Sequence, residues 1–199
     1  INPPRRVLKL GGFQLPLSKP SLRFLRRSKS FWTTLGEHGI FSTVLRVPIT
    51  FPPERFNGLL LSGMCVPDLR GSQGSFTFFS SADKGEAEHI GGLSLKLTRK
   101  NGAFLGSLPG PPKPGSEEPA AAPFKIKPNG DDSAVLEVDG QKIPLKKAEF
   151  SDWIPIAFKM GPGMRASGIC RFMLRQTSPA LELYVSPINI DPAKAALPV

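Results

Sequence analysis

The sequence has few of the residues from which metal centres and disulfide frameworks are built. Its 199 residues include only two cysteines, Cys65 and Cys170, and two histidines, His38 and His89. This set is too small for a four-ligand zinc site or a disulfide framework, so both cysteines are expected to be buried thiols. A single Cys65–Cys170 bridge is the alternative if the protein is exported.

Long apolar runs and the common nucleophile and phosphate motifs are also missing. No apolar run approaches the ~20 residues that span a bilayer, which predicts no transmembrane segment. No serine lies in a Gly-x-Ser-x-Gly elbow, and the glycines at 161–163 lack the Lys-Ser or Lys-Thr ending of a phosphate-binding loop. The paired carboxylates at 117–118 and 131–132 are expected in a loop and a turn, as solvated residues rather than an acid–base pair.

Acidic residues are absent from the first thirty positions, which carry eight of the 26 lysines and arginines in a chain of net charge +10. Such a block attracts anions, whether nucleic acid, an anionic membrane surface, a phosphorylated substrate or an acidic protein face. Leucines and phenylalanines interleave with the charges, which disfavours nucleic acid as the partner. We expect an extended arm packed on a larger body, with strand-like pieces at 7–10 and 13–17 about a glycine turn.

The most informative stretch begins at Ser30 and predicts a short helix, a buried strand and a polar turn. Ser30 is placed to cap the helix, which carries Phe31 and Trp32 on an apolar side and ends at Gly39. The nearly continuous apolar run at 40–47 is typical of a strand covered on both faces. A helix that feeds such a strand is half of an α/β unit.

Prolines end this strand, and ligands of open α/β sheets bind beyond the carboxyl ends of strands. Arg46 lies one position before that end, where a guanidinium is expected to pair with a carboxylate or reach a ligand phosphate. Two interpretations stay open. In the structural one, Asp68 and Arg70 form a local turn with a surface ion pair, and Asp68 is the partner of Arg46. In the functional one, Arg46 and Arg70 clamp phosphate oxygens of a ligand. The predicted substrate-binding residues are therefore Arg46, Asp68 and Arg70, with Gly63 and Gly71 as nearby turn residues.

From Gly71 onward the pattern changes to short strands separated by turns. Asn-Gly at 101–102 and Asp-Gly at 139–140 predict tight hairpins, and Pro144 predicts an edge strand. The proline-rich stretch 109–123 predicts an exposed, extended loop that is dispensable to the fold. This spacing is typical of an antiparallel β-sandwich or barrel. Strands are predicted at 75–79, 93–99, 103–108, 124–127, 134–138, 141–145, 153–158, 168–175 and 181–185.

One long phrase resembles a known family. Residues 31–81, FWTTLGEHGIFSTVLRVPITFPPERFNGLLLSGMCVPDLRGSQGSFTFFSS, resemble the middle of large prokaryotic members of the alkaline phosphatase superfamily, in the type I phosphodiesterase or nucleotide pyrophosphatase branch. The ending YVSPINIDP at 184–192 resembles the point where that family's chain returns towards its catalytic core. The family's metal site uses Asp and His ligands with a Thr or Ser nucleophile, and none of those motifs is in this sequence.

The resemblance therefore implies an internal segment without its active centre, which the missing initiating Met also fits. It implies no cofactor in this segment and divalent, zinc-like metals in the parent enzyme. The implied partners are the remainder of the parent catalytic domain and a phosphoester small molecule. The segment alone is expected to have no phosphodiesterase or phosphatase activity.

The predicted fold is α+β and mostly β, with a small α/β piece of helix plus buried strand followed by an antiparallel β-sandwich or barrel-like subdomain. Residues 1–70 form a basic extended arm plus the helix–strand edge of an α/β catalytic domain, 71–190 form a β-rich insertion, and 191–199 form a return segment. The predicted function is a non-catalytic portion of a metal-dependent phosphodiesterase that helps to shape the substrate cleft. The alternative is a free-standing β-sandwich binding module with a basic face for carbohydrate or an anionic polymer.

Overall fold

A computed structural model describes residues 6–10, 13–17, 28–48, 50, 53–63, 68–82, 87–89, 91–113, 116 and 118–191. The chain divides into two compact units, Ile1–Val66 together with Pro192–Val199, and Pro67–Asp191. In these described ranges the first unit holds one helix and four strands, and the second holds thirteen strands. In the part of the chain that the structure describes, no helix is long and apolar enough to cross a membrane.

The first unit contains a hairpin and then a helix that leads into two parallel strands. β1 (Val7–Leu10) pairs antiparallel with β2 (Phe13–Pro16), and these are the two strand-like pieces that the sequence predicts. The glycine turn between them lies outside the described residues. α1 (Phe31–Glu37) is followed by β3 (Ser42–Val47), which pairs in parallel with β4 (Gly58–Ser62). β4 was not predicted, because prolines and polar turn residues flank its short run of leucines.

Burial of α1 and β3 is lower than the sequence predicts. Ser30 occupies the N-cap position, but its hydroxyl donates to Glu54 Oε2 at 2.8 Å and makes no capping hydrogen bond to the helix backbone. Trp32 is buried, whereas Phe31 is 69% exposed. In β3 only Val44 is buried. The strand is thus not covered on both faces as predicted, because Leu45, next to Val44, is 63% exposed.

The second unit is made of short strands that form three sheets. They are β5 (Phe76–Ser80), β6 (Ala87–His89), β7 (Gly92–Lys96), β8 (Thr98–Lys100), β9 (Ala103–Pro112), β10 (Pro119–Pro128), β11 (Ser133–Val138), β12 (Gln141–Lys146), β13 (Ile154–Gly161), β14 (Met164–Cys170), β15 (Phe172–Gln176), β16 (Glu182–Val185) and β17 (Asn189–Ile190). Sheet I has the order β12-β11-β10-β9-β8, sheet II β15-β16-β5-β7-β6, and sheet III β13-β14-β17. All neighbouring strands are antiparallel except β5 and β7, which are parallel.

The three sheets share one apolar core. Side chains alternate between buried and exposed along β10 and β11, so sheet I packs one face on the core and turns the other to solvent. The fold is therefore α+β and mostly β, as predicted, with a sandwich-like β unit. The largest fully buried core side chains include Phe79, Leu108, Ile126, Leu136, Ile156, Phe158, Phe172 and Leu183.

Two of the predicted strands are each split where the chain passes from one sheet to another. The run at 93–99 becomes β7 in sheet II and β8 in sheet I, with the buried Leu97 at the corner. The run at 168–175 becomes the end of β14 in sheet III and β15 in sheet II, with the break at Arg171. The alternating pattern hides such corners, because strands that switch sheets keep their alternation while the backbone bends.

The predicted hairpin turns are present. Asn101 and Gly102 both have positive φ, as do Asp139 and Gly140, which is what a tight two-residue turn requires. Pro144 lies in β12, an edge strand of sheet I, as predicted.

The prediction of an exposed, dispensable loop at 109–123 is wrong. Most of this stretch belongs to the long hairpin that β9 and β10 form. β9 continues to Pro112 and β10 starts at Pro119, where the two strands already pair. Ala120 and Ala122 are buried, and a Cβ on the buried Gly110 would lie 2.3 Å from the Phe158 ring. The small residues that make this stretch look like low-complexity sequence are what lets its backbone approach the core.

Candidate functional site

The carboxyl ends of β3 and β4 form the candidate site of the first unit. Arg46 has φ 54°, and the register between β3 and β4 shifts between Leu45 and Val47. A left-handed backbone costs a non-glycine residue about 1–2 kcal/mol, so the surrounding structure has to maintain it. The Arg46 side chain is exposed. Arg46 is therefore a surface residue near the end of β3 and does not lie in a buried strand as the sequence predicts.

Gly63, directly after β4, lies against the backbone of Arg46. It is buried, and a Cβ there would lie 2.5 Å from both Cα and the carbonyl oxygen of Arg46. Its N–H donates to the carbonyl of Val47 at 3.4 Å. Only glycine leaves room for this approach. The sequence predicts Gly63 as a turn residue, and the structure shows that it also packs against the backbone of Arg46.

Two hydroxyl groups hold the loop that follows β3. The buried Thr50 donates through Oγ1 to the carbonyl of Val47 at 2.7 Å. Ser62, the last residue of β4, donates through Oγ to the carbonyl of Thr50 at 2.9 Å. These bonds connect the end of β3 to the end of β4. Sequence reasoning missed both residues, because the partner of a hydroxyl depends on which loop it meets in the fold.

Glu54 connects the same loop to the start of α1. Its Oε2 accepts hydrogen bonds from Ser30 Oγ at 2.8 Å and Thr33 Oγ1 at 2.9 Å. A carboxylate near a helix N-terminus also interacts favourably with the helix dipole. Of the described residues between β3 and β4, Thr50 is thus bonded to the ends of both strands and Glu54 to the start of α1.

Asp68 and Arg70 belong to the second unit, where they share one turn. Asp68 is buried; its Oδ1 accepts from Ser72 N at 2.8 Å, and its Oδ2 accepts from Ser72 Oγ at 2.6 Å and Gly74 N at 2.8 Å. Burial opposes ionisation of Asp68, but the hydrogen bonds from Ser72 and from the backbone of Gly74, Ser72 and Arg70 outweigh it, so its pKa lies below the ordinary value. Asp68 is satisfied inside its own turn and needs no guanidinium partner.

Arg70 is partly buried in this turn. Its Nη1 atom is buried, and it has no hydrogen-bond partner among the residues that the structure describes. The structure thus brings Asp68 and Arg70 together in one segment, with Asp68 as the acceptor that organises the turn. Arg46 lies in the first unit, so its use together with Asp68 or Arg70 stays a prediction.

The described residues do not offer a metal site. Within those ranges, no three or more His, Cys, Asp and Glu side chains are grouped so that they could hold an ion. Cys170 carries a fully buried thiol, and burial raises its pKa to about 12. Cys65, the other half of the possible bridge, lies outside the described residues, so the bridge stays untested. Asp131 and Asp132 are exposed, as expected of solvated turn residues.

Comparisons with known proteins leave the family open. No protein-family model matches the chain, and no curated protein or solved structure is significantly similar to it. Membership of the alkaline phosphatase superfamily therefore stays a prediction from the sequence at 31–81 and 184–192.

Proposed function

We propose that this chain is an internal, non-catalytic portion of an alkaline phosphatase-like phosphodiesterase or pyrophosphatase, and that it helps to shape the substrate cleft. In this proposal α1, β3 and β4 are one edge of a larger parallel sheet, and the second unit is a β-rich insertion. The substrate is a phosphoester small molecule whose anionic group meets Arg46. The family assignment is supported by the phrase at 31–81.

The observation that carries the proposal is a parallel strand pair with one uncovered apolar face. Leu45, Leu59 and Leu61 are 63%, 62% and 58% exposed, and Leu45 pairs in register with Leu61. Parallel sheets of α/β proteins are covered by helices on both faces. Burying a leucine fully stabilises a protein by about 1.5–3 kcal/mol, so this face favours a covering layer. The remainder of the parent catalytic domain is the proposed source of that layer and of the neighbouring strands.

The position of Arg46 supports a role in binding the phosphoester. It lies at the carboxyl end of a parallel strand, where ligands of open α/β sheets bind. A guanidinium can donate two parallel hydrogen bonds to phosphate oxygens. Because Gly63 and the loop held by Thr50 maintain the Arg46 backbone, little reorganisation is needed when an anion binds. Asp68 and Arg70 lie in the second unit, so the proposal is argued from Arg46.

Metal chemistry belongs to the remainder of the parent enzyme in this proposal. The described residues contain no ligand set, so no metal-dependent step is assigned to them. Zinc-like divalent ions would generate or stabilise the nucleophile from Asp and His ligands elsewhere. The isolated chain is expected not to hydrolyse a chromogenic phosphodiester with added zinc, manganese or magnesium. Metal-dependent turnover by the carefully purified chain would contradict this.

Arg46→Met in the complete phosphodiesterase tests the proposal. Losing a charged hydrogen-bond donor to the substrate costs about 1.5–3 kcal/mol, so kcat/KM should fall by roughly tenfold or more. The melting temperature should stay nearly unchanged, because the side chain is exposed. Arg55→Met is the matched control, since Arg55 is an exposed arginine in the loop between β3 and β4.

Two outcomes would contradict the proposal. Turnover by Arg46→Met at the wild-type rate would show that Arg46 does not bind the substrate. A coding frame without Asp/His metal motifs on either side of this segment would show that the chain is not part of such a phosphodiesterase.

A further inference from the structure

The solvent-facing side of sheet I carries a concentration of lysines. Lys125 and Lys127 of β10 and Lys142 and Lys146 of β12 are exposed, opposite the positions that pack on the core. We name these four residues the lysine face. The outward positions of β10, β11 and β12 contain one carboxylate, Glu137, and no arginine or aromatic residue.

The strand register places these charges close together. Glu137 of β11 lies between Lys125 and Lys142, which are its partners on the two neighbouring strands. The Lys125 Nζ to Glu137 Oε2 distance is 3.3 Å, and the Lys142 Nζ to Glu137 Oε1 distance is 4.0 Å. Four lysines and one glutamate leave a net charge of +3 over three adjacent strands. A regular sheet fixes the backbone of every one of these residues.

An open depression of about 380 Å³ lies on the same face. Its apolar lining includes Leu105 and Pro123, and its charged lining is one lysine, Lys125, and two carboxylates, Glu137 and Asp139. The β11–β12 turn is held in place, because Asp139 Oδ2 accepts from Ala157 N at 3.0 Å. The depression therefore supplies apolar surface beside the lysine face, and the other three lysines of that face lie outside it.

We propose that the lysine face binds an acidic polysaccharide. The apolar faces of sugar rings would lie over Leu105 and Pro123, and the carboxylate or sulfate groups would meet the lysines. Proteins that bind single-stranded nucleic acid stack bases on aromatic side chains, and arginine is the favoured residue for forked phosphate contacts. An interfacial membrane site needs projecting apolar side chains, whereas Leu105 is partly buried in the depression. This proposal does not depend on the phosphodiesterase assignment.

The test measures binding of the purified 199-residue chain to fluorescent polygalacturonate and heparin at low and high salt. Wild type is expected to bind both polymers, to weaken as salt rises, and to ignore neutral dextran. Lys125→Gln with Lys142→Gln should lower the affinity by about tenfold, since it removes two of the four positive charges of the lysine face. Lys159→Gln with Arg165→Gln is the matched control, because it removes two exposed charges from sheet III and should change affinity little.

Glu137→Gln gives the sharper test because the expected change has the opposite sign. It removes the one carboxylate of the face while keeping the side-chain shape, so the affinity for polygalacturonate should rise. An unchanged or lower affinity in a folded Glu137→Gln variant would overturn the proposal. Equal losses in the sheet I and sheet III double variants would also overturn it, as would tighter binding to single-stranded DNA or to anionic lipid vesicles than to either polysaccharide.

Discussion

The two units of the chain differ in how much of their apolar surface their own residues cover. In the second unit Phe158 and Phe172 are fully buried, in a core that three sheets share. In the first unit Leu45, Leu59 and Leu61 stay more than half exposed on a parallel strand pair. Small antiparallel sheets can pack on one another, whereas a two-stranded sheet is marginal by itself and a parallel one needs covering helices. The second unit therefore covers most of its own apolar surface, whereas the first leaves these leucines exposed to solvent.

The two candidate binding surfaces also differ, in the backbone conformation that presents their charged residues. Arg46 is presented by a left-handed turn that Gly63 and Thr50 hold in place. The lysine face is presented by regular antiparallel strands with no unusual backbone angle at Lys125 or Lys142. A single strained residue suits a discrete phosphoester, and a broad regular face suits a polymer. The differences in how the two units are held together can be tested by mutations that change stability, beginning with the largest expected effect.

Replacing residues 109–123 by a short Gly-Ser link should unfold the second unit. The replacement removes the paired ends of β9 and β10 together with the buried Ala120 and Ala122. Calorimetry should show the cooperative transition lost or lowered by many degrees. The control shortens only residues 113–118, since doubling a loop costs only ~0.6 kcal/mol and shortening it should matter as little. A variant lacking 109–123 that melts like wild type would contradict the observed strand pairing.

Asp68→Asn should have a smaller effect, about 1–3 kcal/mol of unfolding free energy, because buried hydrogen-bond donors lose their charged acceptor. The pKa of Asp68 is lowered from 3.8. Its ionised form therefore contributes stability above about pH 4, and this contribution is lost as pH falls through the lower folded pKa. Urea unfolding at pH 7, 4 and 3 should show wild type losing more stability than Asp68→Asn.

Asp131→Asn is the control for that experiment, because Asp131 is an exposed turn residue of the same unit. It should follow wild type at each pH. Parallel pH profiles for wild type and Asp68→Asn would mean that the Ser72 and Gly74 hydrogen bonds do not depress the pKa of Asp68.

Arg46→Gly should have the smallest effect on stability. Glycine relieves about 1–2 kcal/mol of left-handed strain, and its extra backbone entropy costs roughly 0.5–1 kcal/mol, so a net gain between zero and about 1.5 kcal/mol is expected. Leu45→Gly is the control and should destabilise, since Leu45 has an ordinary strand conformation. Urea unfolding of the first unit can be followed through the buried Trp32 in a Trp153→Phe background. If both glycine variants lose the same stability, the Arg46 turn carries no strain.

Much of the second unit could be predicted from local pattern. The Asn-Gly and Asp-Gly turns adopt the positive φ values that identified them, and Pro144 lies on an edge strand. These predictions succeed because they depend on backbone chemistry within a few residues. The corners at Leu97 and Arg171 could not be predicted, because alternation of side chains continues while the strand changes sheets.

The sequence by itself determined the α+β, mostly β composition, the hairpin turns, and the sequence of helix and strand that carries Arg46. Only the tertiary structure decided which of these residues face solvent and which meet. It places Gly110 and Ala120 against a core, so a proline-rich stretch becomes a hairpin. It gives Asp68 its partners in Ser72 and Gly74. Burial depends on contacts with elements that are distant in the chain, and so do many hydrogen bonds. A local residue pattern does not specify those contacts.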